Sequence, residues 1–415
     1  MAVSALSSRP HLVIVGCGII GATLAYELSR TQQFDITVID QNSQLLTPSG
    51  PVSAQRFSSS TGAALGVLMG IISRKIKGRA WEMRRTSIQR YETLIPELEA
   101  ATGMRIIHNR NGLLKLCFEN DPMDRWEELV AQRHRQGFRL QILGRDTLMR
   151  TYPQLNIPAR HRSRRSSGEK PGGQEVVPLK GQAPAPITGA VYSPQDLQVN
   201  PISLAMALIE AAVQQGATFH WGWRTTAWRT QQRGDRRHIY SIETTRDRID
   251  CDGVIITAGL GSSDLVQKLD YNLPQRPVLG QAVHLKLPKP LGIVEPVIIG
   301  RDVNIVPLEK GHYWVGATVE FSETEQWPEC SQVNLDQMLQ TVHTLCPRLR
   351  EADILRTWSG MRPRPQNRPA PVIEALADYD NVILATAHYR NGVLLAPATA
   401  ESVYKLVQGS AIAKA

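Results

Sequence analysis

Residues 12–40 read LVIVGCGIIGATLAYELSRTQQFDITVID, and this stretch decides the fold. A short apolar run, Leu12 to Val15, breaks into Gly16, Gly18 and Gly21. A helix-like segment follows, and a second apolar run, Ile36 to Ile39, ends on Asp40. That is the order of a βαβ unit built to hold a dinucleotide. Gly16 permits the tight turn, Gly18 lets backbone approach a pyrophosphate, and Gly21 lets the helix pack close to the strand. The helix start offers unpaired N–H groups and a positive dipole end to the same pyrophosphate. Asp40, at the end of the second strand, can accept hydrogen bonds from ribose hydroxyls. Glycine loops are common, so the glycines alone say little. The strand, helix and acid in the required order make the argument.

Working outward, 415 residues exceed the usual ceiling for one hydrophobic core, so two domains are expected. No run approaches the roughly 18 apolar residues of a membrane helix, and the N-terminus lacks the pattern of a secretory signal. The five cysteines are odd in number and form no CxxC. A disulfide framework or metal site is therefore not expected, and a reducing, cytoplasmic compartment fits. The net charge of +9 suggests nucleic acid, but its distribution argues against that partner. Residues 159–186 carry six basic side chains against two acidic ones, a net of +4, in a Ser-, Gly- and Pro-rich segment. Such a segment reads as a solvated, flexible surface insertion. The alternative is an arm, centred on 160–180, that docks an acidic partner or an anionic membrane surface.

Several elements can be placed. Asn42 to Ser60 reads as a loop. The uncharged Ser59–Ser73 reads as a buried helix start or a glycine loop pressed against something. Residues 78–102 form an amphipathic helix with Arg79, Arg84, Arg85 and Arg90 on its polar face. A strand is expected over 111–118 and a helix over 121–137. Asn200 and Pro201 open another helix, which Gly216 closes. Residues 252–256 form a strand. The alternation in Gln281–Leu287 and the β-rich run His312–Phe321 indicate half-exposed antiparallel strands. A last strand, Val382–Ala385, leads through HYRNG into a helix from Ala396. The nucleotide domain is thus discontinuous, closed by both ends of the chain.

Four further segments carry a resemblance. VIITAGLGSS (254–263), GAVYSPQDLQVNP (189–201), WSGMRPRPQNRPAPVI (358–373) and HYRNGVLLAPATA (388–400) resemble the FAD-dependent amino-acid oxidases. That family includes D-amino acid oxidase, sarcosine oxidase and glycine oxidase, and the last two segments are closest to the glycine oxidases of the thiamine pathway. The resemblance implies an α/β fold: a discontinuous Rossmann-like FAD domain (GR2-type) over 1–75, 190–270 and 355–415, and an α+β substrate domain with a mixed or antiparallel sheet over 76–158 and 271–354. Residues 159–189 are the flexible basic linker. It also implies that Arg362, in the GMRP segment, holds a substrate carboxylate. A planar, permanently charged fork suits that task. Arg390 would sit at the flavin edge and help. Besides Gly16, Gly18, Gly21 and Asp40, the implied FAD contacts are Ile19, Ile20, Gln41, Thr61, Gly62, Ala63, Thr225, Ala258, Gly259, His388, Asn391, Gly392, Val393 and Leu394. No cysteine follows Cys346, so FAD is expected to be non-covalent.

Two positions depart from the glycine-oxidase pattern. Asn304 stands where those enzymes place a tyrosine and Val319 where they place a methionine, both in the substrate pocket, which puts glycine itself in question. The implied reaction is oxidative deamination of glycine, another small amino acid or an N-methyl amino acid, by hydride transfer from Cα to flavin N5 with O2 as acceptor. His388 reads as a loop-orienting residue rather than a base. Two alternatives share the fold: a quinone-coupled dehydrogenase, and an FAD-containing assembly or regulatory protein without activity. A nicotinamide dehydrogenase would leave the GMRP and HYRNG segments unexplained.

Overall fold

In the computed structural model, which describes residues 9–43, 48–49, 55–57, 59–157, 185–322 and 327–414, the two apolar runs around the glycine turn are the strands His11–Val15 and Asp35–Asp40. They pair in parallel, Leu12 beside Ile36 and Val15 beside Ile39. Four more strands complete this sheet, in the order Thr218–Trp221, Asp35–Asp40, His11–Val15, Gly253–Ile256, Val382–Thr386, Val372–Ala375. Only the last runs antiparallel. The central strands are buried on both faces, which is why they read as continuous apolar runs. On one face the helix Ile19–Ser29 is enclosed by the helices Pro201–Gln214 and Gly392–Gln408, with Arg79–Thr102 outside them. An antiparallel sheet of Thr225–Arg233, Arg236–Thr244 and Arg248–Asp250 covers the other face.

The second sheet has ten strands, in the order Pro48–Ser49, Gln55–Phe57, Asp353–Pro365, Gln275–Lys286, His312–Gly316, Val303–Pro307, Val297–Gly300, Leu113–Phe118, Ile187–Ser193, Gln141–Gly144. It is mixed: Val297–Gly300 and Leu113–Phe118 are parallel, while its centre is antiparallel. The expected α/β architecture, with a mixed second sheet, is therefore present. The strand Ile187–Ser193 belongs to this sheet, so the residue-189 junction falls inside a strand.

Elsewhere the structure adjusts the sequence reading. The loop Asn42–Ser60 contributes two short strands to the edge of the second sheet. The strand Gln275–Lys286, which carries most of the Gln281–Leu287 alternation, is antiparallel as expected, with His284 and Lys286 part-exposed and Gln281 buried. Val283 and Leu285 pack toward the helix Gln332–Leu345, while Ala282 lies on the opposite face with Trp314 and Trp358. The run from His312 is a strand only to Gly316. The last helix begins at Gly392, four residues before the expected start. The Ser59–Ser73 segment is indeed pressed against its surroundings: a Cβ on Gly66 would lie 1.7 Å from the Val199 carbonyl oxygen. Two fully buried charges clamp its end. Asp196 accepts from the N–H groups of Gly70, Ile71 and Ile72, and Arg133 donates to the carbonyls of Ile71, Ser73 and Lys75. Of the basic segment, residues 158–184 lie outside the described residues.

Candidate functional site: a cavity between the two sheets

The glycine turn forms one wall of a cavity of about 1670 Å³. Gly16 has φ +104°, and a Cβ there would come within 2.7 Å of the Ala258 backbone. A Cβ on Gly21 would stand 2.0 Å from the Gly16 carbonyl oxygen, so this glycine is the contact between helix and strand. Gly18 is different: its nearest neighbour would be the Thr61 hydroxyl at 3.2 Å, and the residue faces the cavity. Asp40 lines the same wall. Its carboxylate accepts the N–H of Cys17 at 2.7 Å and that of Asn42 at 2.8 Å, fixing the turn to the second strand. Burial raises its pKa, and those hydrogen bonds oppose the rise. The Thr61 hydroxyl accepts from Ile19 N–H at 2.9 Å and so caps the helix from another part of the chain.

A second helix start faces the cavity. Gly392, Val393 and Leu394 open the helix Gly392–Gln408, and their N–H groups have no partner within that helix. The approach to it is strained: Ala387 and Tyr389 take φ of 55° and 53°. His388 lies between them, buried, with Nε2 2.8 Å from the Thr399 hydroxyl. Burial pushes its pKa down to about 3, so the ring is neutral and orients the loop rather than moving a proton. Arg84 adjoins this helix start. Instead of facing solvent with its helix neighbours, it lines the cavity and donates to Ala80 O at 2.8 Å and Asn391 Oδ1 at 3.4 Å.

The ten-stranded sheet supplies the opposite wall, and Arg362 projects from its strand Asp353–Pro365. Nη1 donates to the carbonyls of Leu279 and Thr318, each at 3.1 Å. The guanidinium lies flat over Gly280, where a Cβ would be 2.0 Å from Nη2. Gly280 alone clears this seat; its partner Gly360 makes room instead for the Ala63 side chain. Burial, then the nearby charge of Arg390, lowers the Arg362 pKa to about 10. Among the described residues neither Arg362 nor Arg390 has a carboxylate in ion-pair contact, and both line the cavity. Two guanidinium groups on one cavity, with no carboxylate in ion-pair contact among the described residues, offer paired donors to an anion.

Chain comparison places this architecture. The model of the FAD-dependent oxidoreductase family DAO matches residues 11–406. The chain belongs to that family. This oxidoreductase is 23% identical over 409 residues to the glycine oxidase of Bacillus licheniformis, covering 98% of this chain and 95% of the relative. Among solved structures, glycine oxidase from Geobacillus kaustophilus superposes with a TM-score of 0.76 at 24% identity, covering 97% of this chain and 95% of that one. L-proline dehydrogenase from P. horikoshii gives 0.75 at 18% identity, covering 98% and 95%. The protein is thus a glycine-oxidase-like enzyme that uses FAD. Its cavity suits the cofactor: among the described residues Arg84 Nε, Thr225 Oγ1 and Gln275 Oε1 are buried with no hydrogen-bond partner, their side chains lining this cavity, and the Gly18 backbone is open to a ligand.

Of the residues singled out in the sequence, Gly16, Gly18, Ile19, Ile20, Asp40, Gln41, Thr61, Ala63, Thr225, Ala258, Gly259, His388, Arg390, Asn391, Gly392, Val393, Leu394 and Arg362 line the one cavity. Gly21 and Gly62 do not. Gly21 sits behind the turn, and Gly62 lies in the short helix Ser60–Ala63 with its N–H on the Ser59 hydroxyl. Asn304 lines the cavity, but Val319 does not. Thr318 and Glu320 are buried while Val319, between them, is 36% exposed, as alternation along an extended chain requires. Sequence reading missed Gly280, Arg84 and Gln275. A glycine inside a strand run signals a close approach and marks Gly280. Arg84 and Gln275 carry no such mark.

Proposed function

We propose that this enzyme oxidises the Cα–N bond of a small amino acid or N-methyl amino acid whose carboxylate is held by Arg362, with Arg390 closing the same anion site. The observation that carries this reading is the pair of guanidinium groups, without an ion-pair partner among the described residues, on the cavity of an FAD-dependent enzyme. FAD, once bound, supplies the two-electron acceptor. Gly16, Gly18 and Ile20 would hold its diphosphate and Asp40 a ribose. The first-turn N–H groups of Gly392, Val393 and Leu394 would face negative charge at the flavin pyrimidine. Attachment is non-covalent in this reading, because no cysteine lines the cavity among the described residues. Arg362 aims the substrate by its carboxylate, with Nη1 spent on the wall and the Nη2 edge free for the ligand. Such orientation lowers the barrier by several kcal/mol. His388, neutral and bonded to Thr399, takes no proton. O2 is the proposed acceptor, in a cytoplasmic enzyme. A quinone-coupled reaction is the second reading, favoured by the fold match to L-proline dehydrogenase.

Anaerobic titration with small amino acids and their N-methyl forms tests this. The flavin band near roughly 450 nm is expected to bleach, and readmitted O2 should restore it with release of peroxide. Arg362→Met should lower kcat/KM by about 10³-fold, the loss of two charge-assisted hydrogen bonds, at unchanged FAD content. A panel in which no amino acid bleaches the flavin refutes the reading. Bleaching without reoxidation by O2 transfers it to the dehydrogenase.

A further inference from the structure

The cavity extends beyond Arg362 along the second sheet, and the strand register defines its floor. Lys115 pairs with Ile299, Ile299 with Asn304, Asn304 with Gly316, and Gly316 with Ala282. Cross-strand partners share a face. Lys115, Ile299 and Asn304 all line the cavity. At the Arg362 end the row is bare: Gly316 has no side chain, Ala282 has one carbon, and Asn304 is short. At the far end stands a lysine, on a face where its strand neighbours Leu113 and Cys117 are fully buried. Among the described residues no acceptor or carboxylate contacts its ammonium. Asp302, on the turn of the adjoining hairpin, lines the same cavity and attracts the ammonium without an ion-pair contact, and Asp121 accepts the Phe118 N–H at 2.9 Å. A half-buried, unpaired ammonium carries a desolvation cost unless something pairs with it.

We propose that Lys115 is the counter-ion for a second acidic group on the substrate, so that this enzyme prefers an amino acid carrying a distal carboxylate. The proposal rests on the amino-acid oxidation reading above and specifies its substrate class. The Arg362 guanidinium lies over Gly280, whose strand is four steps from that of Lys115, about 19 Å, which an extended chain of roughly ten to fifteen atoms spans once the lysine side chain reaches toward it. One acid would sit at Arg362 and Arg390, the other at Lys115, with the chain passing over Asn304 and Ile299.

The test uses the FAD-loaded enzyme and unreactive ligands. Straight-chain dicarboxylic acids of increasing length, and monocarboxylic acids of matched length, are titrated while the flavin spectrum is followed. The dissociation constant is expected to fall about tenfold or more on reaching diacids of roughly ten to fifteen carbons. Monoacids of equal length should show no such gain. Lys115→Met should abolish the difference between diacid and monoacid, and Lys115→Arg should keep it. If Lys115→Met does not fold, the native length series and Lys115→Arg still decide. Diacids that bind no better than monoacids at any length overturn the proposal, as does a Lys115→Met enzyme that keeps the difference. Either result leaves amino-acid oxidation standing when short monoacids perturb the flavin. If no carboxylate perturbs it and no amino acid bleaches it, the oxidation reading itself fails.

Discussion

The two walls of the cavity are built by opposite means. The cradle wall, from Gly16 to Asp40, is backbone: a turn, a helix start and one carboxylate, all within a short stretch of chain. The sheet wall is side chain, and its parts meet only through register. Arg362 donates to the carbonyl of Leu279, 83 positions away, over a glycine from that same distant strand. The cradle serves a cofactor that does not vary, so its geometry can be written into local sequence. The opposing wall serves a variable substrate, and its chemistry changes one side chain at a time on a constant frame.

If that contrast is right, damage to the cradle should remove the cofactor, and damage to the sheet wall should remove catalysis alone. The largest effect on cofactor binding is expected from Gly21→Ala. Its Cβ would sit 2.0 Å from the Gly16 carbonyl oxygen, a clash with backbone that no rotamer relieves. The helix must move off the strand, and purified protein should retain little flavin, with FAD affinity down by about a hundredfold or more. Flavin-to-protein absorbance ratios and FAD titration measure this. A yellow Gly21→Ala protein with ordinary affinity would break the contrast.

Gly280→Ala is the matching lesion on the other side. The added methyl would stand 2.0 Å from Arg362 Nη2, so the guanidinium must leave its seat while Leu279 and Thr318 keep their positions. A misplaced orienting group costs about a hundredfold. The expected outcome is kcat/KM for the amino-acid substrate down by that factor, at normal FAD content and melting temperature. Loss of FAD from Gly280→Ala would show that the walls are not separable.

The same contrast explains what the sequence revealed. The βαβ unit, its glycines and Asp40 were legible because each residue's role depends on neighbours within a few turns of chain. Arg362 and the HYRNG loop came from resemblance, since three arginines in a proline-rich segment look alike until the strand register shows that only Arg362 lies over Gly280. Within the half-exposed reading of Gln281–Leu287, His284 and Lys286 do keep part of their surface open, while Gln281 is turned inward: its Nε2 donates to the Glu320 carboxylate at 2.8 Å. The helix start at Gly392 was placed too late because Asn-Gly reads as a turn and Pro397 sits inside the helix. Arg84 was assigned to solvent because charge on an amphipathic helix ordinarily faces water, and the helix packed outside Gly392–Gln408 leaves one arginine turned inward.

The smallest effect tests where the boundary between the walls runs. Thr61 caps Ile19 N–H in the cradle, yet it belongs to the short helix Ser60–Ala63, whose other contacts are with the sheet wall: the Ser60 hydroxyl donates to Met361 O at 2.5 Å, and Trp358 Nε1 donates to Ala63 O at 3.0 Å. Thr61→Val keeps the shape and removes the acceptor, leaving a buried N–H unpaired, at a cost of about 1 kcal/mol. Thr61→Ser keeps the acceptor and should behave as the native protein. If the hydroxyl serves the fold, denaturant unfolding of apoprotein and FAD-loaded protein should lose the same amount, and FAD affinity should not move. If it serves the cofactor, the loaded form should lose more, and the dissociation constant for FAD should rise about fivefold. The hydrogen bond of 2.9 Å, made wholly within the protein, favours equal loss. That result would make Thr61 part of the scaffold that brings the two walls together, and leave Ile20 N–H, rather than Ile19 N–H, as the donor that the first turn offers a diphosphate.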